Sequence, residues 1–231
     1  MEFMFLFMVP AGSIADPGRF AEMGKFAAEL ASQGILRRGA PLGRDSDAQS
    51  VRVRDGRAFV SDGPFAESKE VVGGFWIVDV AGREEALAIA KRCPHARYAP
   101  LEVHAVGSRF TYADPGRGTP YLLAFRMEPG LSDPDGAKYR EMIAFSERLG
   151  GEGALFETAP LVPDPPPAWI EPLGGKVLVT DGPFAESKEG VGGYGLVRVA
   201  DRAQAIELAK RYPHARWGPI ELREILFFDR V

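Results

Sequence analysis

The chain repeats itself. Sliding it by 119 residues superimposes its two halves without a gap, and Asp-Gly-Pro-Phe-Ala-Glu-Ser-Lys-Glu at residues 62–70 returns unchanged at 181–189. Pro94-His95-Ala96-Arg97 returns as Pro213-His214-Ala215-Arg216, and Ala40-Pro41-Leu42 as Ala159-Pro160-Leu161. Between residues 62–103 and 181–222, 26 of 42 positions are identical, a match too long for a solenoid repeat, so the repeating unit is a whole domain. The register sets the boundaries: residues 1–112 form a first domain, 113–119 a linker and 120–231 a second domain. Pro165-Pro166-Pro167 resembles a linker by composition, but it aligns with Ser46-Asp47-Ala48 inside the first copy.

Each copy reads as β-α-β-hairpin-β-α-β. Residues 3–9 form a strand. Asp16 and Pro17 supply an N-cap and a first helical position, Phe20, Met23, Phe26 and Leu30 follow at helical spacing, and Gly34 ends the helix. Extended chain resumes at residues 35–42. Asp55-Gly56 joins two alternating segments as a tight hairpin turn, and Gly174-Gly175 stands at the same place in the second copy. Strands at 75–80 and 101–106 flank a helix at 83–93. Gly73-Gly74 and Gly192-Gly193 lead into a strand and suit a bulge, not a nucleotide loop.

Residues 3–9 and 75–78 are apolar at both parities, so these strands are buried on both faces. Two helices cover only one face of a sheet, which leaves the twin half to cover the other. The expected fold is α+β: two ferredoxin-like βαββαβ units, each with an added hairpin, packed sheet to sheet as a pseudo-dimeric α/β barrel. The chain is then an internal pseudo-dimer, with a further homodimer left open.

The formal net charge is −4, with no cluster of Lys and Arg to follow a phosphate backbone, which argues against nucleic acid. The longest apolar stretch, residues 3–10, is too short to span a bilayer and follows Glu2 instead of a basic segment, so neither a membrane span nor a signal peptide is expected. A lone Cys93 suits a reducing cytoplasm.

The Val51-Arg-Val-Arg-Asp-Gly-Arg segment, the nine-residue motif, Gly73-Gly74 and the Phe-Trp-Ile-Val-Asp-Val strand resemble the YCII-related family, in its DGPF-domain branch, as a tandem pair. The resemblance implies the dimeric α/β-barrel fold of small-molecule enzymes and ligand-binding modules. Stand-alone members carry a first-helix histidine that acts with an aspartate as an acid/base pair. No histidine occurs at residues 17–33 or 136–150, so that pair is not carried over.

Candidate catalytic residues are Asp62, Lys69 and Glu70 with their copies Asp181, Lys188 and Glu189, together with His95 and His214. The charged motif either lines a cleft mouth, where an acid and a base are tuned, or forms a rigid surface loop in which Asp62 and Gly63 set a turn of unusual φ. Each histidine, after the proline that ends the second helix, either titrates near neutrality or caps helix carbonyls. On the strand at 120–127, Leu123, Phe125 and Met127 face the helices, which turns Arg126 toward the space between the sheets, where its register partner is Phe7. Arg198 replaces Asp79 in the same way. Both arginines are candidate ligand-binding residues for an anion, or they pair with protein carboxylates. His104 has no copy, since Arg223 stands in its place, and no metal or cofactor is expected.

Three functional readings follow. The first is a small-molecule-binding or regulatory module with a cleft between the sheets closed by the two Asp-Gly-Pro-Phe loops. The second is a cofactor-independent enzyme acting on a small anionic organic substrate by proton transfer or oxygen chemistry. In the third, one copy keeps a site and the other has become scaffold.

Overall fold

The computed structural model describes residues 1–14, 16–63, 70–127, 130–131, 133, 135–182 and 190–226. The first half runs β1 (Glu2–Pro10), α1 (Pro17–Ser32), β2 (Leu36–Pro41), β3 (Gln49–Arg54), β4 (Arg57–Asp62), β5 (Glu70–Asp79), α2 (Arg83–Arg92) and β6 (Leu101–Val106). After the short β7 (Phe110–Thr111), the second half repeats this order as β8 (Thr119–Met127), α3 (Ala137–Gly151), β9 (Leu155–Val162), β10 (Ala168–Leu173), β11 (Lys176–Asp181), β12 (Gly190–Val199), α4 (Arg202–Arg211) and β13 (Ile220–Glu224). No helix among the described residues is long and apolar enough to cross a membrane.

Local chemistry sets these boundaries. Asp16 caps α1 by accepting from the backbone N–H groups of Gly18 and Arg19, and Gly34 leaves the helix at φ 70°. Both hairpin turns use two consecutive residues of positive φ, Asp55 and Gly56 in one and Gly174 and Gly175 in the other. Gly73 and Gly192 are the extra residues of two β-bulges, since the β1–β5 ladder shifts between Phe7 and Met8 and the β8–β12 ladder shifts between Val191 and Gly193.

The fold is α+β, and every strand pairing is antiparallel among the described residues. Four strands of the first half lie in the order β2-β5-β1-β6, and four of the second in the order β9-β12-β8-β13. Two short junctions join these sheets into a ring. One pairs Ala105 with Val162 and Val106 with Leu161, and the other is the bridge between Leu42 and Ile225. The ring encloses one apolar interior to which both halves contribute, including Met4, Leu6 and Phe75 from the first and Leu122, Tyr194 and Leu196 from the second. The helices lie outside. Phe26 and Leu30 of α1 and Ile89 of α2 cover Phe3, Phe5 and Trp76, while Phe145, Leu149 and Leu208 cover the equivalent face of the second sheet.

The hairpins are exchanged between the halves. The first half's hairpin extends the second sheet, with β3 paired to β13, and the second half's hairpin extends the first sheet, with β10 paired to β6. Val51 is thereby buried under the second half's helices, and Ala168 and Ile170 under the first half's.

The uniform register of 119 does not extend to the first strands. Leu123 stands opposite Gly195, just as Phe5 stands opposite Trp76, so β1 and β8 correspond at an offset of 118. Phe125 therefore matches Phe7, and Arg126 matches Met8; the expected pairing of Phe7 with Arg126 is overturned. A one-residue slip exchanges the two faces of a strand, so burial decides the register here, and the extra residue is absorbed between β8 and α3. Arg126 nonetheless faces the space between the sheets, as expected, because Leu123 and Phe125 face the helices.

The exchange makes a distinction within one hairpin. Replacing fully buried Ile170 by Ala is expected to cost about 2–5 kcal/mol in urea unfolding, whereas Leu178→Ala, at a side chain 42% exposed, is expected to stay within about 0.5 kcal/mol. Equal losses would contradict the burial of this hairpin under the other half's helices.

Candidate functional site

The charged motif spans the two sheets. Asp62 ends β4, which extends the second sheet, and Glu70 opens β5 in the first. Lys69, Lys188 and Glu189 lie outside the described residues. Asp62 is exposed and accepts from Gln49 Nε2 at 3.4 Å, and Asp181 pairs with Arg83 across the halves. Gly63 is required for room, not for an unusual φ. It lacks a left-handed conformation, its N–H donates to the Ala48 carbonyl at 2.8 Å, and a Cβ would collide with the Asp45 carbonyl.

The histidines cap strands instead of helix carbonyls. His95 Nε2 donates to the Met8 carbonyl at 2.9 Å and lies 3.0 Å from the Pro100 carbonyl, and His214 Nε2 donates to the Arg126 carbonyl at 2.9 Å. A carbonyl oxygen only accepts, so Nε2 carries the proton in both rings. Burial holds both imidazoles below their ordinary range, which favours the neutral form.

Both candidate arginines have protein carboxylates as partners. Arg126 donates to Glu221 through Nε, at 2.9 Å, and through Nη2. Glu221 also accepts from Arg223 Nη1 at 3.1 Å, and Arg223 Nη2 donates to the Gly43 carbonyl at 2.6 Å. The corresponding first-half positions hold Glu102 and His104, 2.7 Å apart. Arg198 pairs with Asp114 of the linker segment at 2.9 Å. Burial by itself raises the Glu221 carboxyl, but the guanidiniums of Arg126 and Arg223 outweigh it and hold the group below the ordinary glutamate range.

A second buried network was not foreseen. Arg38 and Glu157 occupy the same register position in their halves and meet across the ring at 2.9 Å. Tyr194 donates to Glu157 at 2.9 Å, and Arg109 lies between Glu157, at 3.5 Å, and Glu2, at 2.9 Å. The available signal was a charged residue at the inward parity of β2 and of β9.

A cavity of about 180 Å³ opens between α3 and the helix-facing side of the second sheet. It is thus not in the space between the sheets, where the cleft was expected. Phe125, Met127, Met142 and Trp217 form its apolar walls, and Ser146, Thr158 and His214 are its buried polar members. Lys138 lies at its edge, with Nζ 5.9 Å from the centre of the Trp217 ring.

Four substitutions between the halves distinguish this region. In the first half Trp76 sits edge-on to Phe7 at 5.0 Å and lies so close over Gly39 that a Cβ there would collide with it. In the second half Gly195 replaces Trp76, Thr158 replaces Gly39, Ser146 replaces Ala27 and Tyr212 replaces Cys93. Tyr212 takes up space from the opposite side, 4.9 Å from Phe125 and 4.8 Å from Phe145, and its hydroxyl meets Ser146 Oγ at 2.8 Å. Reading the halves as copies obscured these residues, because the signal lies where the copies differ.

A family model described as the YCII-related domain matches residues 4–106 and again 119–229. The chain belongs to the YCII-related family. The uncharacterized protein R00369 of Rhizobium meliloti (strain 1021) is 31% identical over 91 residues, which are 38% of this YCII-related chain and 73% of that protein. Among solved structures, a heme-binding protein from Thermus thermophilus has a TM-score of 0.41 at 13% identity, over 98% of this chain and 91% of its own. Putative chlorite dismutase TA0507 has a TM-score of 0.42 at 9% identity, over 98% and 94%.

The Glu221 cluster of this YCII-related chain carries a pH signature. A carboxyl held below its unfolded value stabilises the fold above the ordinary glutamate range, and that contribution is lost as the pH falls through the folded value. Glu221→Gln is expected to cost on the order of 3–5 kcal/mol at neutral pH and less at acid pH below the ordinary glutamate range, where the lowered native carboxyl takes up its proton. Urea unfolding at the two pH values checks this; a loss independent of pH would contradict it.

Proposed function

We propose that this YCII-related chain is a small-molecule-binding module with one site, in its second half. The supporting observation is the cavity beside α3, with apolar walls and three buried polar groups, two of which, Ser146 and Thr158, stand where the first half has Ala27 and Gly39. None of Asp62, Glu70 and Asp181 lines this cavity, so it favours binding over acid/base chemistry at the charged motif.

The wider reading is a tandem duplication of DGPF-branch domains, residues 1–112 and 120–231 joined by 113–119, each ferredoxin-like with an added hairpin. Together they build within one chain the barrel that two separate chains make in a dimeric α/β-barrel protein. The second copy keeps the site, and the first serves as the scaffold that completes the ring. The protein works in the cytoplasm and not on nucleic acid, in keeping with its net charge of −4 and single cysteine.

Titrating the full chain with a library of single-ring organic fragments, read by amide chemical shifts, tests the site. Shifts are expected at α3, the start of β12 and the segment from His214 to Trp217, with one ligand bound per chain. Ile143→Trp, which fills the cavity from α3, is expected to abolish them while leaving the spectrum otherwise native. Fragments that bind elsewhere, or no binding at all, would contradict the proposal.

A further inference from the structure

We infer that the cavity takes an uncharged ligand built on a single aromatic ring and turns away an organic anion of the same shape. This rests on the proposed site in the second half and adds the chemical class of its occupant.

The placement of charge around the cavity carries the inference. Among the described residues that line it, only Asp133 and Lys138 carry a formal charge, and their signs oppose. Both belong to its mouth. Asp133 precedes α3 and accepts from the backbone N–H groups of Lys138, at 3.0 Å, and Tyr139, at 2.8 Å, and Lys138 stands in the first turn of that helix. Tyr139 beside them is exposed. The arginines expected to hold an anion lie elsewhere: neither Arg126 nor Arg198 lines the cavity, and they meet Glu221 and Asp114.

The buried polar members are neutral and engaged with the protein. Ser146 Oγ lies 2.8 Å from the Tyr212 hydroxyl, Thr158 Oγ1 donates to the Tyr194 carbonyl at 2.6 Å, and His214 Nε2 donates to the Arg126 carbonyl at 2.9 Å. Burial holds the His214 imidazole below its ordinary range, which keeps it uncharged. Such groups accommodate a dipole on a ligand, as donors or as acceptors, but do not neutralise an ion. A carboxylate drawn in among them gives up its hydration and finds no counter-charge. One left at the mouth meets Lys138 and Asp133 together, in water, where a single ion pair adds little.

Size and wall chemistry give the rest. An apolar cavity of about 150 Å³ holds benzene, so about 180 Å³ suits one ring with a small substituent. Phe125 and Trp217 offer aromatic faces and edges, and the thioethers of Met127 and Met142 favour contact with an aromatic ring.

Titrating the full chain with toluene, benzamide and benzoate, followed by amide chemical shifts at α3 and at residues 214–217, tests the inference. Benzamide and benzoate share a shape and differ in charge, which separates charge from fit. Toluene and benzamide are expected to bind, and benzoate to bind at least about tenfold more weakly than either. Lys138→Ala is expected to leave toluene binding within about twofold of the unaltered protein, since no charge takes part. Benzoate binding as tightly as either neutral ring would overturn the exclusion of anions while leaving the site intact. Failure of all three to bind there would count against the site itself.

Discussion

The burial of both faces of the central strands is the constraint on which the rest of this structure depends. Phe3 and Phe5 face the helices while Met4 and Leu6 face the ring interior, so neither side of β1 can meet water without exposing large apolar side chains. One half supplies helices for one face only. The interior must therefore be shared, and the exchanged hairpins extend the same dependence to the helix-facing cores, each of which contains side chains from the opposite half.

Enclosing an interior between two sheets also fixes where charge is tolerated. Inward positions on β2, β9, β8 and β13 carry Arg38, Glu157, Arg126 and Glu221, and each meets an opposite charge from another strand. Removing one member of such a pair leaves the other desolvated and unpaired, so the loss costs more than the pair adds to net stability. The helix-facing side of the second sheet follows a different logic. There, exchanging a tryptophan for a tyrosine anchored by the Ser146 hydroxyl keeps the layer filled beneath α3, next to a cavity lined by Ser146, Thr158 and His214.

Much of this architecture is legible in the residues themselves. Asp16-Pro17 marks the start of α1, Asp55-Gly56 and Gly174-Gly175 mark the hairpin turns, and Gly73 and Gly192 mark the bulges, because each meets a local backbone demand. The need for a partner to cover the sheet is legible in the two-faced apolar strands. The hairpin exchange is not, since alternation along β3 or β10 shows that a strand forms but not which half it pairs with. The offset of 118 is hidden for a similar reason: β1 and β8 are apolar at both parities over most of their length, so sequence matching does not separate one register from the next. Ser146, Thr158 and Tyr212 escaped notice because a repeat directs attention to identities. Their counterparts Ala27, Gly39 and Cys93 carry no hydroxyl, so the difference shows only where the two copies are compared position by position.

Native-state hydrogen exchange of the full chain tests most directly whether the two halves are one interlocked body. Amides of Phe5 in β1 and Leu123 in β8, both in fully buried ladder positions, are compared over a range of low denaturant concentrations. Interlocking predicts that both exchange through the same opening, with equal free energy and equal denaturant dependence. If one strand exchanges through a cheaper opening while the other stays protected, the halves are independent and the shared interior does not hold them together.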